Sequence, residues 1–349
     1  MGTRRWRWLA ALAVLVAALA VLFILRWRQQ GFQWVQFRDA LLGVDPAWLA
    51  ASGAFALASF YGRVLRWAVM LRPQKETVSH WGLFSATAIG FTAIVLLGRP
   101  AEVVRPLLIA MKERVPFSSQ VAAWMLERIF DLLATLVIFG FALTQVRHLD
   151  LAVGPGLEWV LRVGGTIAAA LGGICLGIIL VLRYFSETMR RRMVEGLAFL
   201  PARHHQKAAK IAEAFVQGVL ATRSATSLLL LLAYTVLEWL LIIGCYICLF
   251  QAFPQLRNVS WSGVLIFMGF VSFGSVIQIP GIGGGMQLVA IVVLTEIFRV
   301  SLEVATSVAL VVWIMTFVII MPVGIPLILH EGINFRKIKE MEAQAEAAL

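Results

Sequence analysis

One uncharged stretch decides the fold of this chain: residues 258–295 read NVSWSGVLIFMGFVSFGSVIQIPGIGGGMQLVAIVVLT. These 38 residues contain no Asp, Glu, Lys or Arg, and the run from Pro280 to Gly285 interrupts them. Proline removes a backbone donor and glycine adds backbone freedom, so one continuous helix through this point is unfavourable. The stretch therefore predicts two short apolar helices joined by a broken turn.

Apolar segments of this kind dominate the rest of the chain. Of the 349 residues, 60% are hydrophobic and only 14% are charged. A soluble domain is typically about half apolar and about a quarter charged. The segments are continuously apolar, whereas the strands of an outer-membrane barrel alternate apolar and polar residues. The composition predicts an all-α fold, that of a polytopic α-helical membrane protein.

The chain carries a formal net charge of +11, and 24 of its 30 basic residues are arginine. Basic cytoplasmic loops that touch anionic head groups explain this excess. No basic face lies outside the membrane loops, so we expect no nucleic-acid partner. The three cysteines, Cys175, Cys245 and Cys248, lie in apolar stretches without a second Cys pair or a nearby His. We therefore expect no metal and no cofactor.

The distribution of Lys and Arg distinguishes two topologies. If every apolar run crosses the membrane once, 11 basic residues lie in cytoplasmic loops and 16 outside, against the positive-inside rule. If residues 85–111 and 264–298 instead form re-entrant hairpins, the counts become 18 inside and 7 outside. The hairpins would turn at 98–100 and 280–285. We predict six spans, two re-entrant hairpins and both termini on the cytoplasmic side of the inner (plasma) membrane.

The order of these segments predicts an inverted repeat. Halves of about 1–150 and 151–349 each read span, span, hairpin, span, with opposite orientations. Transporters with inverted repeats bind substrate near the midplane, where broken helices meet. We interpret 1–349 as a single integral membrane domain. Its extramembrane parts are a basic amphipathic cytoplasmic loop over 183–223 and a short cytoplasmic tail over 331–349.

The first candidate site lies at the turn of the first hairpin, in the run Gly98-Arg99-Pro100-Ala101-Glu102-Val103-Val104-Arg105. Glu102 and Arg105 are three residues apart and share one helix face. In one interpretation, Arg99 and Arg105 bind the phosphate of a lipid head group, because a guanidinium binds phosphate bidentately. In the other, Glu102 and Arg105 form an intrahelical ion pair that neutralises itself.

The second candidate site is Glu127-Arg128-x-x-Asp131, inside a long apolar run. Charges at membrane depth face a partner or a cavity. The two carboxylates could couple transport to protons, or they could belong to a buried ionic network. Glu238, in another apolar run, allows the same two interpretations. The intramembrane basic residues available as charge partners are Arg63, Arg66 and Arg105.

The third candidate site is the glycine-rich turn with the helix start that follows it. Its candidate substrate-binding residues are Pro280, Gly281, Gly283 and Gln287. A helix N-terminus presents free amides and a partial positive charge, which suit an anion. No Lys-Ser/Thr follows the glycines, so this is not a nucleotide-binding P-loop. A simple break in the helix for packing is the alternative.

In order and spacing, the three motifs resemble those of the membrane domain of lysylphosphatidylglycerol synthases and related flippase-like membrane proteins. The matching residues are Gly98-x-x-Ala101-Glu102-x-x-Arg105, Glu127-Arg128-x-x-Asp131 and Pro280-Gly281-Ile282-Gly283. The resemblance covers nearly the whole chain. Two positions depart from the family pattern: Ala101 replaces a glycine, and Gln287 lies near a position where the family often carries an acid. The second departure argues against a proton role there.

The resemblance implies that the protein moves a lipid across a bacterial or archaeal inner membrane. The expected substrate is an anionic phospholipid or a polyprenyl-phosphate-type lipid, so membrane lipids are the expected partners. The alternatives are a non-transporting partner of a lipid synthase and a membrane-embedded glycosyl or lipid transferase. The resemblance does not carry over aminoacyl transfer, which belongs to a large soluble domain. Because only residues 331–349 follow the last span, we expect no such domain and no enzymatic activity.

The predicted topology can be tested by cysteine labelling of the 183–223 loop. With Cys175, Cys245 and Cys248 replaced by alanine, an Arg203→Cys variant should react with an impermeant thiol reagent only after the membrane is opened, because the loop faces the cytoplasm. Labelling of this position from outside intact spheroplasts would contradict the re-entrant topology.

Overall fold

The computed structural model describes residues 31–148, 166, 170–177, 224–275, 278–279 and 283–332. The predicted first span, the 183–223 loop, the tail beyond 332, Pro280 and Gly281 lie outside the described residues, as does the side chain of Arg99. Within the described part the fold is helical. Four stretches there are long and apolar enough to cross a membrane: Pro46–Leu71, His80–Leu97, Ala225–Ala252 and Leu302–His330. The predicted fold class, a polytopic helical membrane protein, is confirmed.

Ten α-helices with defined bounds lie in the described part of the chain. They are α1 (Trp34–Leu42), α2 (Pro46–Leu71), α3 (His80–Leu97), α4 (Val104–Glu113), α5 (Phe117–His148), α6 (Ala225–Ala252), α7 (Trp261–Gly274), α8 (Gly285–Glu296), α9 (Leu302–Thr316) and α10 (Met321–His330). Residues 170–177 are also helical. Short 3-10 helices cover Arg99–Val103, Pro254–Leu256 and Val318–Ile320. Asp45 caps α2 by accepting the amides of Ala47 and Trp48, with Pro46 as the first helical residue.

Helices α3 and α4 form an antiparallel hairpin whose two open ends meet. The amide of Ser79, which caps α3, donates to the Glu113 carboxylate at the end of α4 (3.2 Å). The Nζ of Lys75 contacts the same carboxylate at 2.6 Å. Gly98 makes the turn with φ +80°, and the α-helix resumes at Val104, after a 3-10 segment. The return helix α4 has only 10 residues, about 15 Å.

Helices α7 and α8 form a second antiparallel hairpin. At its tip, a Cβ added to Gly274 would lie 2.6 Å from the Gly285 carbonyl oxygen. At its open end, a Cβ added to Gly263 would lie 3.1 Å from the Phe298 ring. Two-residue strands, Gln278–Ile279 and Gly283–Gly284, pair at the tip. The first arm therefore ends at Gly274, before the predicted turn at 280–285, because the chain next to the turn pairs as a strand.

The two hairpins open toward opposite ends of α2. The open end of the first hairpin lies beside Lys75, just after α2 ends. The second hairpin's Phe298 ring lies 6.4 Å from that of Phe250, near the end of α6. That end of α6 meets the start of α2, where the Asp45 amide donates to the Ala252 carbonyl (2.9 Å). An inverted repeat requires that the two hairpins have opposite orientations. The division of the chain into two halves stays a prediction.

Helices α2 and α6 pack along their lengths, and the hairpins flank them. A Cβ on Gly62 of α2 would lie 3.5 Å from the Glu238 Cβ of α6, so the two backbones approach closely. One apolar core joins the first hairpin to α2 and α5, and a second joins the other hairpin to α6 and α9. The last uncharged run of the sequence, 304–329, is not one continuous helix. Helix α9 ends at Thr316, and a 3-10 helix precedes α10. Pro322 explains this break, because its ring disfavours an unbroken α-helix.

Close contact between the arms of the first hairpin predicts that Gly90→Ala destabilises the fold. The added Cβ would lie 2.6 Å from the Arg105 Cβ, and overpacking of this kind costs about 1–3 kcal/mol. Thermal unfolding of the purified protein in detergent measures the loss. Gly140→Ala in α5 is the matched control: its Cβ would meet nothing within 4 Å, so its melting temperature should not fall. Equal melting temperatures of the two variants would contradict the close packing between the arms of the first hairpin.

Candidate functional site

Seven charged side chains from four helices meet in the interior, and we call them the ionic cluster. They are Arg63 and Arg66 of α2, Arg105 of α4, Glu127, Arg128 and Asp131 of α5, and Glu238 of α6. Each helix is otherwise largely apolar at this depth. The charges therefore need one another, because an unpaired ion away from water is very costly.

Arg66 lies at the centre of the cluster, and its side chain is 0% exposed. Its guanidinium donates to Glu127 Oε1 at 2.7 Å and to Asp131 Oδ1 at 2.6 Å. The Oε2 of Glu238 lies 3.2 Å from the same guanidinium. One arginine on α2 thus holds carboxylates of both α5 and α6. These contacts form a buried ionic network, one of the two interpretations that the sequence left open for Glu127 and Asp131.

Arg105 connects the first hairpin to this network. Its guanidinium donates to both oxygens of Glu127, with Nη1 at 3.3 Å from Oε1. The Trp67 ring covers the same guanidinium at 4.3 Å, a favourable cation–π arrangement. The fork of Arg105 is therefore occupied by Glu127 of α5.

Arg63 and Arg128 lie at the border of the cluster. The Nε of Arg63 donates to Glu238 Oε1 at 2.7 Å, and its guanidinium lies 4.7 Å from the Phe91 ring centroid. Arg128 contacts Asp131 Oδ2 at 3.0 Å, and its side chain is 40% exposed. The side chains of Arg63 and Asp131 are each 16% exposed. Arg128 is thus the most accessible cation of the cluster.

A cavity of about 210 Å³ adjoins the ionic cluster and separates the two hairpins. The charged residues on its wall are Arg63, Glu102, Arg105, Arg128, Asp131 and Glu238. The second hairpin contributes Met268, Val271, Ser272, Ser275 and Met286. Its volume equals that of roughly seven water molecules. The cavity can hold a polar head group, and the chains of a lipid would lie outside it.

The described residues of the two hairpin tips differ in their relation to the cavity. Gly98 makes the first turn and does not line the cavity, whereas Ser275 and Met286, on either side of the second turn, do line it. In the second hairpin, Gln287 Oε1 accepts the Gly284 amide at 2.7 Å. The side chain thus takes one of the amides expected to hold an anion. Gly283 lies in the short strand pair.

Several cavity residues escape sequence reasoning. Trp239, Tyr246 and Thr316 line the cavity from α6 and α9, and Ser272 and Ser275 line it from the end of α7. The only sequence signal for them is the three-residue spacing of the two serines and the adjacency of Trp239 to Glu238. Among the described residues, no group of three or more His, Cys, Asp or Glu side chains is arranged to hold a metal ion.

Comparison with known proteins gives one match. A family model described as the lysylphosphatidylglycerol synthase TM region matches residues 8–324. No curated protein and no solved structure matches the chain. The matched range contains the ionic cluster, both hairpins and the cavity.

The buried network predicts that Glu127→Gln strongly destabilises the protein. The substitution leaves Arg66 and Arg105 without their shared carboxylate, and removing one partner of a buried ion pair costs about 3–5 kcal/mol. Chemical denaturation in detergent measures this loss in the free energy of unfolding. Asp39→Asn is the control, because the Arg38–Asp39 pair is 68% and 58% exposed and exposed pairs contribute little. An equally small effect of both substitutions would show that the cluster does not stabilise the fold.

Proposed function

The chain belongs to the lysylphosphatidylglycerol synthase TM-region family, and on that basis we propose that it moves an anionic lipid across the membrane. The family indicates a membrane protein of lipid metabolism or transport. Transport is supported by one observation above all, a charged cavity that lies between two oppositely oriented helical hairpins. Transporters with inverted repeats bind substrate where such broken segments meet.

The head group would bind on the arginine wall of the cavity. A phosphate prefers a guanidinium, whose fork donates two parallel hydrogen bonds. Because Glu127 occupies Arg105, we assign the phosphate to Arg128, with Arg63 beside it. Arg105 then positions the hairpin against α5. Arg99 stays in the proposal as a cation at the hairpin turn.

Binding would proceed by exchange of ion-pair partners. The ionic cluster has four arginines and three carboxylates, and Glu102 on the cavity wall adds a fourth negative charge. Among the side chains that the structure describes, positive and negative charges at the cavity are therefore equal in number. A phosphate at Arg128 would replace Asp131, its present partner at 3.0 Å. Exchange of this kind allows release as well as binding, which a transporter needs.

Two ion pairs link segments at opposite ends of the molecule, and opening the protein at either end would break one of them. At one end, Glu331 after α10 contacts Lys112 and Ser85 of the first hairpin. Burial raises the pKa of the Glu331 carboxyl, but hydrogen bonds from Lys112 and Ser85 lower this pKa by more than burial raises it. The pKa of Glu331 therefore lies below its ordinary value. Glu331 is thus ionised at neutral pH. At the other end, Arg257 contacts Asp45 at 3.2 Å.

A flip assay with Arg128→Lys tests the proposal. In proteoliposomes with tail-labelled fluorescent phosphatidylglycerol, the wild-type protein should accelerate loss of the protection that the inner leaflet gives the label against an impermeant quencher added outside. Lysine keeps the charge but loses the bidentate fork, so the rate should fall about tenfold with unchanged thermal melting. Arg38→Lys, on the exposed helix α1, is the control and should transport normally.

The outcome also decides between transport and the alternative, a non-transporting partner of a synthase. Wild-type protein that leaves the labelled lipid in its original leaflet would overturn the transport proposal. Normal transport by Arg128→Lys would overturn the assignment of phosphate to this residue.

A further inference from the structure

Three hydroxyl side chains line the charged cavity, and all three are partly exposed. They are Thr135 of α5, Ser272 of α7 and Ser275, the residue that follows α7. The proposed binding of a phosphate at Arg128 does not use them. A hydroxyl group has one proton to donate and two lone pairs that accept. What these residues can bind therefore depends on where their protons are engaged.

Each of the three hydroxyl groups donates its proton to a carbonyl of the preceding helical turn. Thr135 Oγ1 donates to the Asp131 carbonyl at 2.9 Å, and Ser272 Oγ donates to the Met268 carbonyl at 2.7 Å. Ser275 Oγ donates to the Ser272 carbonyl at 2.7 Å. Serine and threonine in helices bond to their own backbone in this way. With the protons so engaged, the three oxygens can contact a ligand only as acceptors.

The hydroxyl groups lie about one helical turn beyond the proposed phosphate site. Arg128 contacts Asp131 Oδ2 at 3.0 Å, and Thr135 follows Asp131 by four residues, about 6 Å along the helix axis. Helix α7 packs against the same part of α5, because the Phe273 ring lies 4.6 Å from the Phe139 ring. A group that extends from the phosphate by one helical turn along α5 would therefore meet these oxygens.

The acceptor character of this region restricts what that group can carry. A ligand that displaces bound water without reproducing its hydrogen bonds loses affinity, so the group should bring donors of its own. Hydroxyl groups are neutral donors. An ammonium group matches less well, because Asp131 keeps Arg66 at 2.6 Å when a phosphate takes Arg128. The exchange at Arg128 thus releases no carboxylate to pair with a cation.

We infer that the substrate head group is a phosphodiester whose second substituent carries hydroxyl groups, and that these donate to Ser272 and Thr135. This inference rests on the proposed function and narrows its substrate class. Two kinds of lipid have this chemistry. One is a glycerophospholipid with a polyol head group, and the other is a polyprenyl phosphate that carries a sugar.

Two lipids of equal charge test the inference. Short-chain phosphatidylglycerol carries two hydroxyl groups on its head group, and short-chain phosphatidylpropanol keeps the phosphodiester and the three carbons without them. Displacement of a fluorescent phospholipid from the purified full chain in detergent gives both affinities. The wild-type protein should bind phosphatidylglycerol about two- to tenfold more tightly, the range that one hydrogen bond contributes. Equal affinities would overturn the inference and leave the phosphate site in place.

Variants of the hydroxyl residues test their assignment. Ser272→Ala removes an acceptor oxygen and no charge, so it should reduce the preference for phosphatidylglycerol without weakening phosphatidylpropanol. The double variant with Thr135→Val should abolish the preference. Ser59→Ala is the matched control, because Ser59 Oγ also donates to a carbonyl of its own helix, that of Ala56 at 2.7 Å, but Ser59 does not line the cavity.

The variant outcomes are independent of the wild-type comparison. A full preference in the double variant would overturn the assignment to Ser272 and Thr135. Because the wild-type comparison needs no variant, the inference can be overturned even where the double variant fails to fold.

Further probes separate the two lipid sources and the proposed function. A short-chain prenyl phosphate esterified with glucose represents the sugar-bearing lipid, and whichever hydroxylated probe binds more tightly identifies the source. Tighter binding of short-chain phosphatidylethanolamine than of phosphatidylglycerol would overturn the inference in favour of an ammonium donor. Failure of the wild-type protein to bind any of these probes, phosphatidylpropanol included, would remove the proposed function itself.

Discussion

The rest of the structure depends on the contacts of one arginine. Arg66 is fully buried, and its guanidinium holds Glu127, Asp131 and Glu238. These three carboxylates come from two helices that are otherwise apolar, so the ion pairs fix how α5 and α6 pack on α2. Glu127 then reaches Arg105 and sets the position of the first hairpin. The same contacts that fix the helices also place charges on a cavity wall, so stability and the proposed function share one set of residues.

Helix positions could largely be predicted from the sequence, because they depend on local chemistry. Asp45-Pro46 starts α2 as a capping pair does, and the glycine turns separate the arms of both hairpins. Two details depend on more than hydrophobic periodicity, the first on a backbone contact and the second on a proline. Helix α7 ends at Gly274, where the backbone of Gly285 approaches, and the last apolar run breaks after Thr316. Neither the end of α7 nor the break after Thr316 can be predicted from hydrophobic periodicity alone.

The candidate site could be predicted only in part. Charged residues in apolar runs stand out at once, so every member of the ionic cluster was a candidate. Their pairing could not be predicted, because the partners of Arg66 lie 61 and 65 residues away on α5 and still further along the chain on α6. The only sequence signal for Trp239 is its position next to Glu238, since a tryptophan in an apolar helix is ordinary. The structure singles it out because its side chain lines two cavities, the charged one and an apolar one between α5 and α6.

The even balance of charges around the cavity has an electrical consequence for the proposed transport. The described side chains on and behind the cavity wall carry four positive and four negative charges, so this described set is neutral when all eight are ionised. An anionic head group makes the loaded site negative by one charge. A membrane potential does work of about 2.3 kcal/mol per charge per 100 mV. A potential that is negative inside would therefore drive the loaded site outward and leave the return of the empty site unopposed.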